Sequence, residues 1–248
     1  DGVWSRQSHL SLSGGFGSLS AGRHYSPQFS LLAGVDPFGT GLAGAANNVY
    51  GMDVRLSNSI IYTTPSMSGF KVAAVYSRQA NGINQENLEN AGDVRVWGIS
   101  PTYSNGPLMV GFNYHRLKAN VSGADATKVW DLAGTYNFGA AKLAAAYGNR
   151  DNGADSKYFL LGVTVPVGQA GNVLASYVRA KTDIGAADDP TSRMIAVGYT
   201  HSLSKRTNVY AAYATIKNSD GGAAAVGDAS NGGQGYQKGL NLGVRHMF

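Results

Sequence analysis

Stretches of about ten residues in which apolar and polar positions alternate recur from one end of the chain to the other, the spacing of strands that present two different faces. Thirteen are read, at 4–13, 17–25, 54–64, 70–78, 93–103, 107–118, 127–137, 141–150, 156–166, 172–183, 192–202, 207–217 and 236–247. In "VRLSNSIIYT" the alternation puts Val54, Leu56, Ile60 and Tyr62 on one side and Arg55, Ser57, Ser59 and Thr63 on the other. In "RMIAVGYTH", Ile195, Val197 and Tyr199 oppose Met194, Ala196, Gly198 and Thr200. Helical periodicity has room only inside 28–50. No run approaches the roughly 20 apolar residues of a membrane-spanning helix, which excludes a helical membrane protein.

The connections carry more information than the strands. Short ones (Gly14-Gly15-Phe16, Pro65 to Gly69, Ser104-Asn105-Gly106, Gly139-Ala140, Val167 to Gly171, Leu203 to Arg206) take every second place. Between them come longer ones rich in Gly, Asn, Asp and Ser, at 26–53, 79–92, 119–126, 151–155, 184–191 and 218–235. Short turns at one end and long loops at the other mark an up-and-down barrel of an outer membrane. A soluble Greek-key sandwich does not sort its loops so. Charged residues make up only 14% of the chain, against about 25% in soluble domains. Tyr25, Tyr62, Tyr76, Tyr103, Tyr136, Phe138, Tyr147 and Tyr199 fall near strand ends, where they would form two aromatic girdles. The closing "GLNLGVRHMF" then has a simple reading. Its even-numbered residues face lipid, its odd-numbered ones face the lumen, and the last strand pairs with the first because lipid offers the backbone no hydrogen bonds.

An odd count conflicts with that closure. If neighbouring strands are antiparallel, the first and thirteenth run the same way, whereas single-chain bacterial barrels have even counts. The short turns lie on the C-terminal side, so the reading expects an odd number of further strands upstream and takes the chain as part of a longer one.

Five segments, "SRQSHLSLSGGFGSLSAGRHYSP" (5–27), "RLSNSIIYTTPSMSGFKVAAVYS" (55–77), "YNFGAAKLAAAYG" (136–148), "HSLSKRTNVYAAYA" (201–214) and "GLNLGVRHMF", resemble the general porins of Gram-negative bacteria, in the branch with arginine-rich constrictions. The likeness spans the chain in order. It implies an all-β, transmembrane, antiparallel barrel of sixteen strands, of which about three N-terminal ones are missing here. It also implies a homotrimer in the outer membrane, with the bilayer, lipopolysaccharide and small ions and solutes as its partners. Residues 1–248 would be a single barrel domain, and 26–53, with its Gly/Ala-rich "DPFGTGLAGAANN", falls where the family folds a loop inward to narrow the pore. A 28-residue connection without structure of its own is in any case usually functional or disordered.

Arginines within strands avoid lipid, where a charge costs about 2–4 kcal/mol at mid-bilayer. Alternation sets Arg55 opposite Leu56 and Ile60, and the resemblance puts a constriction arginine there. Arg6 and Arg23 match other arginines of the family's cluster, although strict alternation groups Arg6 with Leu10 and Leu12, and Arg23 with Leu19 and Ala21. A bulge at Gly22 would turn Arg23 inward. Asp36 matches an acidic residue of the family's constriction loop, Asp53 is a second acidic candidate, and Arg245, opposite Val244, is a further lumen candidate. Rings of arginine select anions by electrostatics, with no chemical step.

Other chemistries find little support. "GTGLAG" (39–44) lacks the strand and helix of a nucleotide-binding unit. The five histidines are isolated, and the acidic clusters "DNGAD" (151–155) and "ADDP" (187–190) read as solvated loops, so neither a metal nor a cofactor is expected. With no cysteine there is neither a disulfide nor a thiolate site. The 20 Lys and Arg are scattered rather than clustered on one face, against nucleic-acid binding. An outer-membrane phospholipase would need a Ser/His pair on one face, but His201 and Ser202 are adjacent and point to opposite faces. A soluble β-rich binding protein is the remaining alternative. The expectation is a passive diffusion channel and not an enzyme.

Overall fold

The computed structural model describes residues 5–39, 42–80, 93–185, 188–227 and 236–247. Its strands are β1 (Ser8–Gly14), β2 (Gly17–Tyr25), β3 (Arg55–Thr63), β4 (Phe70–Ser77), β5 (Val94–Asn105), β6 (Leu108–Ala119), β7 (Thr127–Asn137), β8 (Lys142–Asp151), β9 (Asp155–Val167), β10 (Gly171–Asp183), β11 (Thr191–Ser202), β12 (Thr207–Ser219) and β13 (Lys238–His246). All thirteen are hydrogen-bonded in chain order, each to its neighbours in sequence. An α-helix, α1 (Pro27–Val35), follows β2, and Ala46–Asn48 make a short 3-10 turn. The chain divides into two compact units, one of 1–32, 52–132 and 148–153, the other of 33–51, 133–147 and 154–248.

In the first unit the strands after β1 bury mostly small and polar residues and expose most of their large apolar ones. On β5, Val96, Gly98 and Ser100 are buried while Trp97 and Ile99 are exposed. On β6, Asn113 and His115 are buried between exposed Val110 and Phe112 and half-buried Tyr114. This inverts the pattern of a water-soluble sheet, and an apolar face of such extent marks contact with something other than water. The covered face carries the start of α1 and residues 52–54.

The second unit repeats the inversion. Met194 is fully buried whereas its neighbour Ile195 is 58% exposed. On β12, Ala212, Ala214 and Ile216 are buried and Tyr213 is exposed. On β13, Leu240, Leu242 and Val244 are 66%, 70% and 67% exposed, as alternation in the closing segment requires. Phe248 lies outside the described residues, as do 81–92 of the connection 79–92 and 228–235 of the connection 218–235.

Several sequence expectations shift. Segment 28–50 does contain a helix. Ser26 caps it by accepting the Phe29 N–H on its hydroxyl at 3.0 Å, Pro27 opens it where no donor is needed, and Pro37 prevents its continuation. The connection 151–155 is not long, because β8 and β9 extend to Asp151 and Asp155 and leave a three-residue turn. Leu56 does not share the side of Ile60 and Tyr62. Instead it is buried with Val75, Ala80 and Val96. The cause is local: Asn58 has φ +47 and the β2–β3 register shifts between Gly22 and His24, which rotates the chain between Leu56 and Ile60. Tyr25 departs from the girdle pattern as well, its ring lying 4.8 Å from Phe29 of α1.

Candidate functional site

In the first unit both ends of segment 26–53 are tied to strands by one closed circuit of hydrogen bonds. Gln28 on α1 donates Nε2–H to Asp131 Oδ2 on β7 at 3.0 Å and accepts the Asp53 N–H on Oε1 at 2.8 Å. Asn113 on β6 donates to the same Asp131 oxygen at 3.0 Å and reaches His115 Nδ1 at 3.0 Å. With Nδ1 accepting, His115 donates Nε2–H to Asp53 Oδ2 at 2.7 Å, which closes the circuit. Arg150 on β8 adds an ion pair to Asp53 at 2.5 Å. Burial pushes the Asp53 carboxyl up, but the His115 hydrogen bond and the Arg150 charge outweigh it and hold its pKa at about 2. Leu31 of α1 meets β6 at Gly111, where an added Cβ would fall 2.5 Å from Leu31 Cδ1.

Two arginines of the expected cluster, Arg6 and Arg55, meet at Tyr25, and the third, Arg23, bonds to the chain beside them. Arg6 donates to the Tyr25 hydroxyl at 3.2 Å, and the Arg55 guanidinium lies over the ring, 5.1 Å from its centroid. Arg23 donates Nε–H to the Ser5 carbonyl at 2.7 Å and a terminal N–H to the Ser57 hydroxyl at 2.5 Å. Gly22 has φ +134, and the register shift beside it leaves Arg23 without a partner on β3, so the bulge foreseen there exists. For Arg6 the parity conflict dissolves, because Arg6 precedes β1 and no alternation applies to it. Among the described residues none of the three arginines is ion-paired. Their charge therefore stays uncompensated, whereas that of Arg150 is spent on Asp53.

In the second unit the rest of the segment is held by its own acid. Asp36, 7% exposed, accepts the Phe38 N–H on Oδ1 at 3.0 Å and the Ala46 N–H on Oδ2 at 2.7 Å. Burial raises its pKa to about 6 against these two donors. Phe38 lies over β11 at Gly198, where a Cβ would stand 2.8 Å from its ring, so glycine is what lets the segment approach. Asn241 on β13 accepts the Ala43 N–H at 3.2 Å. Beside these residues an open cavity of about 450 Å³ is lined by Phe38, Leu42, Thr200, Asn208, Tyr210 and Arg245.

Of the residues singled out in the sequence, Arg6 and Arg55 thus meet at Tyr25, with Arg23 bonded to the chain beside them. Asp53 belongs to the circuit, Asp36 fastens the backbone of its own segment, and Arg245 lines the cavity. Sequence reasoning missed Gln28, Asn113, His115, Asp131 and Arg150. The available signal was alternation, because Asn113 and His115 oppose Phe112 and Tyr114, and Asp131 opposes Leu132, so each stood at a covered position in mid-strand.

The family model of Gram-negative porins matches residues 1–221. An outer membrane porin protein of Bordetella pertussis is 31% identical over 99% of this chain and 72% of its own length. Outer membrane porin protein 32 of Delftia acidovorans is 34% identical over 98% of this chain and 74% of its own. Among solved structures, the anion-selective porin from Comamonas acidovorans superposes with a TM-score of 0.77 at 31% identity, covering 98% of this chain and 78% of that one. OmpT of Vibrio cholerae in its trimer form, at 17% identity and a TM-score of 0.70 over 96% and 79%, is a likeness of fold alone.

Proposed function

Because the chain belongs to the Gram-negative porin family, and so is a passive channel of the outer membrane rather than an enzyme, we propose that residues 26–53 narrow its lumen and that Arg6, Arg23 and Arg55 make the narrowed pore favour anions. The observation that carries this reading is the meeting of Arg6 and Arg55 at Tyr25, with Arg23 bonded to Ser5 and Ser57 in the chain beside them, and with no acidic partner for any of the three among the described residues. Fixed positive charge beside a narrow aqueous path raises the local concentration of anions and lowers that of cations. The anion selectivity named for the Comamonas porin points the same way. Arg245 would add positive charge to the lumen. Asp36 and Asp53 contribute little to the field in this reading, since their carboxylates are engaged by backbone donors and by Arg150 and His115.

The covered face of the strands supports the placement of the segment. Small residues at Gly111 and Gly198 admit Leu31 and Phe38, and the circuit around Asp53 fixes the end of the segment where it enters β3. Deleting Gly34 to Ala46 should raise single-channel conductance in planar bilayers while the sheet content stays the same. An equal or smaller conductance would mean that these residues do not limit the path.

A homotrimer is the assembly we propose, the form named for the Vibrio cholerae OmpT. Bands that keep trimer mobility in detergent gels until heated test it.

A further inference from the structure

The cavity beside Phe38 and Leu42 lies wholly within the second unit, and its two walls differ in chemistry. The strand wall is polar. Thr200 on β11 lies opposite Tyr210 on β12, and one row nearer the short turns Asn208 on β12 lies opposite Arg245 on β13. The residue facing Tyr210 on β13 is Gly243, and a Cβ there would strike the Tyr210 hydroxyl. Glycine thus lets the phenol lie across β13, two residues from Arg245. Among the described residues the side chains of Thr200, Asn208, Tyr210 and Arg245 form no hydrogen bond and no ion pair. Four polar groups on three strands therefore face one space with their hydrogen-bonding capacity unspent.

The facing wall is apolar and held in place. Half-buried Leu42 stands there beside Phe38. Asp36 accepts the Phe38 N–H, and Asn241 accepts the N–H of Ala43, the residue after Leu42. The Leu42 carbonyl accepts the Ala45 N–H at 2.9 Å. Walls fixed before binding spare a ligand the cost of ordering them. At about 450 Å³ the cavity falls in the roughly 300–1,000 Å³ range of organic-ligand sites.

The two walls together select among solutes. One guanidinium matches one carboxylate through two parallel N–H···O bonds. A phosphate dianion would be only half neutralised by it, and a cation would be repelled. Any bare inorganic anion leaves the apolar wall unused, whereas a neutral sugar leaves Arg245 unpaired. A carboxylate that carries a ring uses both walls, because the ring fits between Leu42 and the Tyr210 phenol, with which it pairs.

We propose that this cavity binds organic monocarboxylates with a compact aromatic body, the carboxylate on Arg245 and the ring against Leu42 and Tyr210. The inference rests on the covered face lining the lumen and not on Arg6, Arg23 and Arg55, so this site and the anion preference can fail separately. The test is conductance of the full chain in planar bilayers during titration with benzoate, with acetate, benzamide and inorganic phosphate as comparisons. Benzoate should reduce the current saturably, at a half-blocking concentration roughly tenfold or more below those of the other three. Arg245→Gln should raise that concentration roughly tenfold, the scale of lost charge-assisted hydrogen bonds. Arg245→Lys, which keeps the charge but not the fork, should raise it by a smaller factor. Tyr210→Phe, which removes one hydroxyl, should raise it about threefold and serves if the Arg245 variants form no channels. Unsaturable block, equal block by acetate or benzamide, or an unchanged half-blocking concentration in Arg245→Gln would each overturn the proposal. So would an equal rise in Arg55→Gln, which would move the site to the other arginines.

Discussion

Replacing Arg6, Arg23 and Arg55 together by glutamine should carry the zero-current potential in a salt gradient from the anion-favouring side to near zero. A unit charge about 5 Å from an ion in a water-filled path is worth roughly 0.8 kcal/mol at the dielectric constant of bulk water, and more where the walls lower it. Three such charges removed amount to about 2 kcal/mol, or more than a tenfold change in the ratio of anion to cation permeability. The single substitution Arg55→Ala should move the potential in the same direction by about a third as much. Screening sets a second condition. The Debye length falls from about 10 Å at 0.1 M salt to about 3 Å at 1 M, so the difference between wild type and variant should shrink as salt rises. A variant with the wild-type potential at low salt would remove these arginines from the conduction path. Arg23 also holds the Ser5 carbonyl and Ser57, so Arg6→Gln and Arg55→Gln separate the electrostatic effect from any loosening of β1.

Asp53→Asn should release the end of segment 26–53 and raise both the conductance and its noise. The amide keeps an acceptor for His115 but leaves the Arg150 guanidinium without a counter-charge. Orphaning one partner of a fully buried ion pair costs about 3–5 kcal/mol. Here Asp53 and Arg150 are 20% and 21% exposed, so solvent screening reduces the cost. A lowered temperature of heat denaturation in detergent would report it. Wild-type conductance would show that the circuit does not hold the segment in place.

The two acids of the segment respond to pH in opposite senses. Asp53 has a folded-state pKa of about 2, below its ordinary 3.8, so the stability it contributes is present above 3.8 and is lost as pH falls toward 2. Asp36 is raised to about 6, so the folded state holds its proton more tightly than the unfolded one does. Lowering pH from 7 toward 4 therefore stabilises the fold through Asp36, while the Asp53 circuit stays intact over that range.

How much of this was legible in the sequence depends on how local each feature is. Strand parity depends only on adjacent residues, so β2 and β7 fall at the expected residues and β11 and β13 expose the expected faces. Where a single residue breaks the period, parity misleads. Asn58, at positive φ, puts Leu56 on the other side from Ile60. The circuit was out of reach for a different reason. Gln28 and Asp131 are 103 residues apart, Asp53 and Arg150 are 97 apart, and Asp53 and His115 are 62 apart, so only the register of the strands brings them together. The resemblance to porins picked out Arg6, Arg23, Arg55 and Asp36 as one group. The fold joins Arg6 and Arg55 through Tyr25 and ties Arg23 to Ser5 and Ser57, while Asp36 is engaged by the backbone of its own segment.

The most direct test of the account is the zero-current potential of the wild-type protein in a planar bilayer across a potassium chloride gradient at low ionic strength. Arginines left unpaired beside a narrowed aqueous path require a potential on the chloride side, decaying as salt is added. A potential of zero, or one on the potassium side, would contradict the account, however well the fold matches.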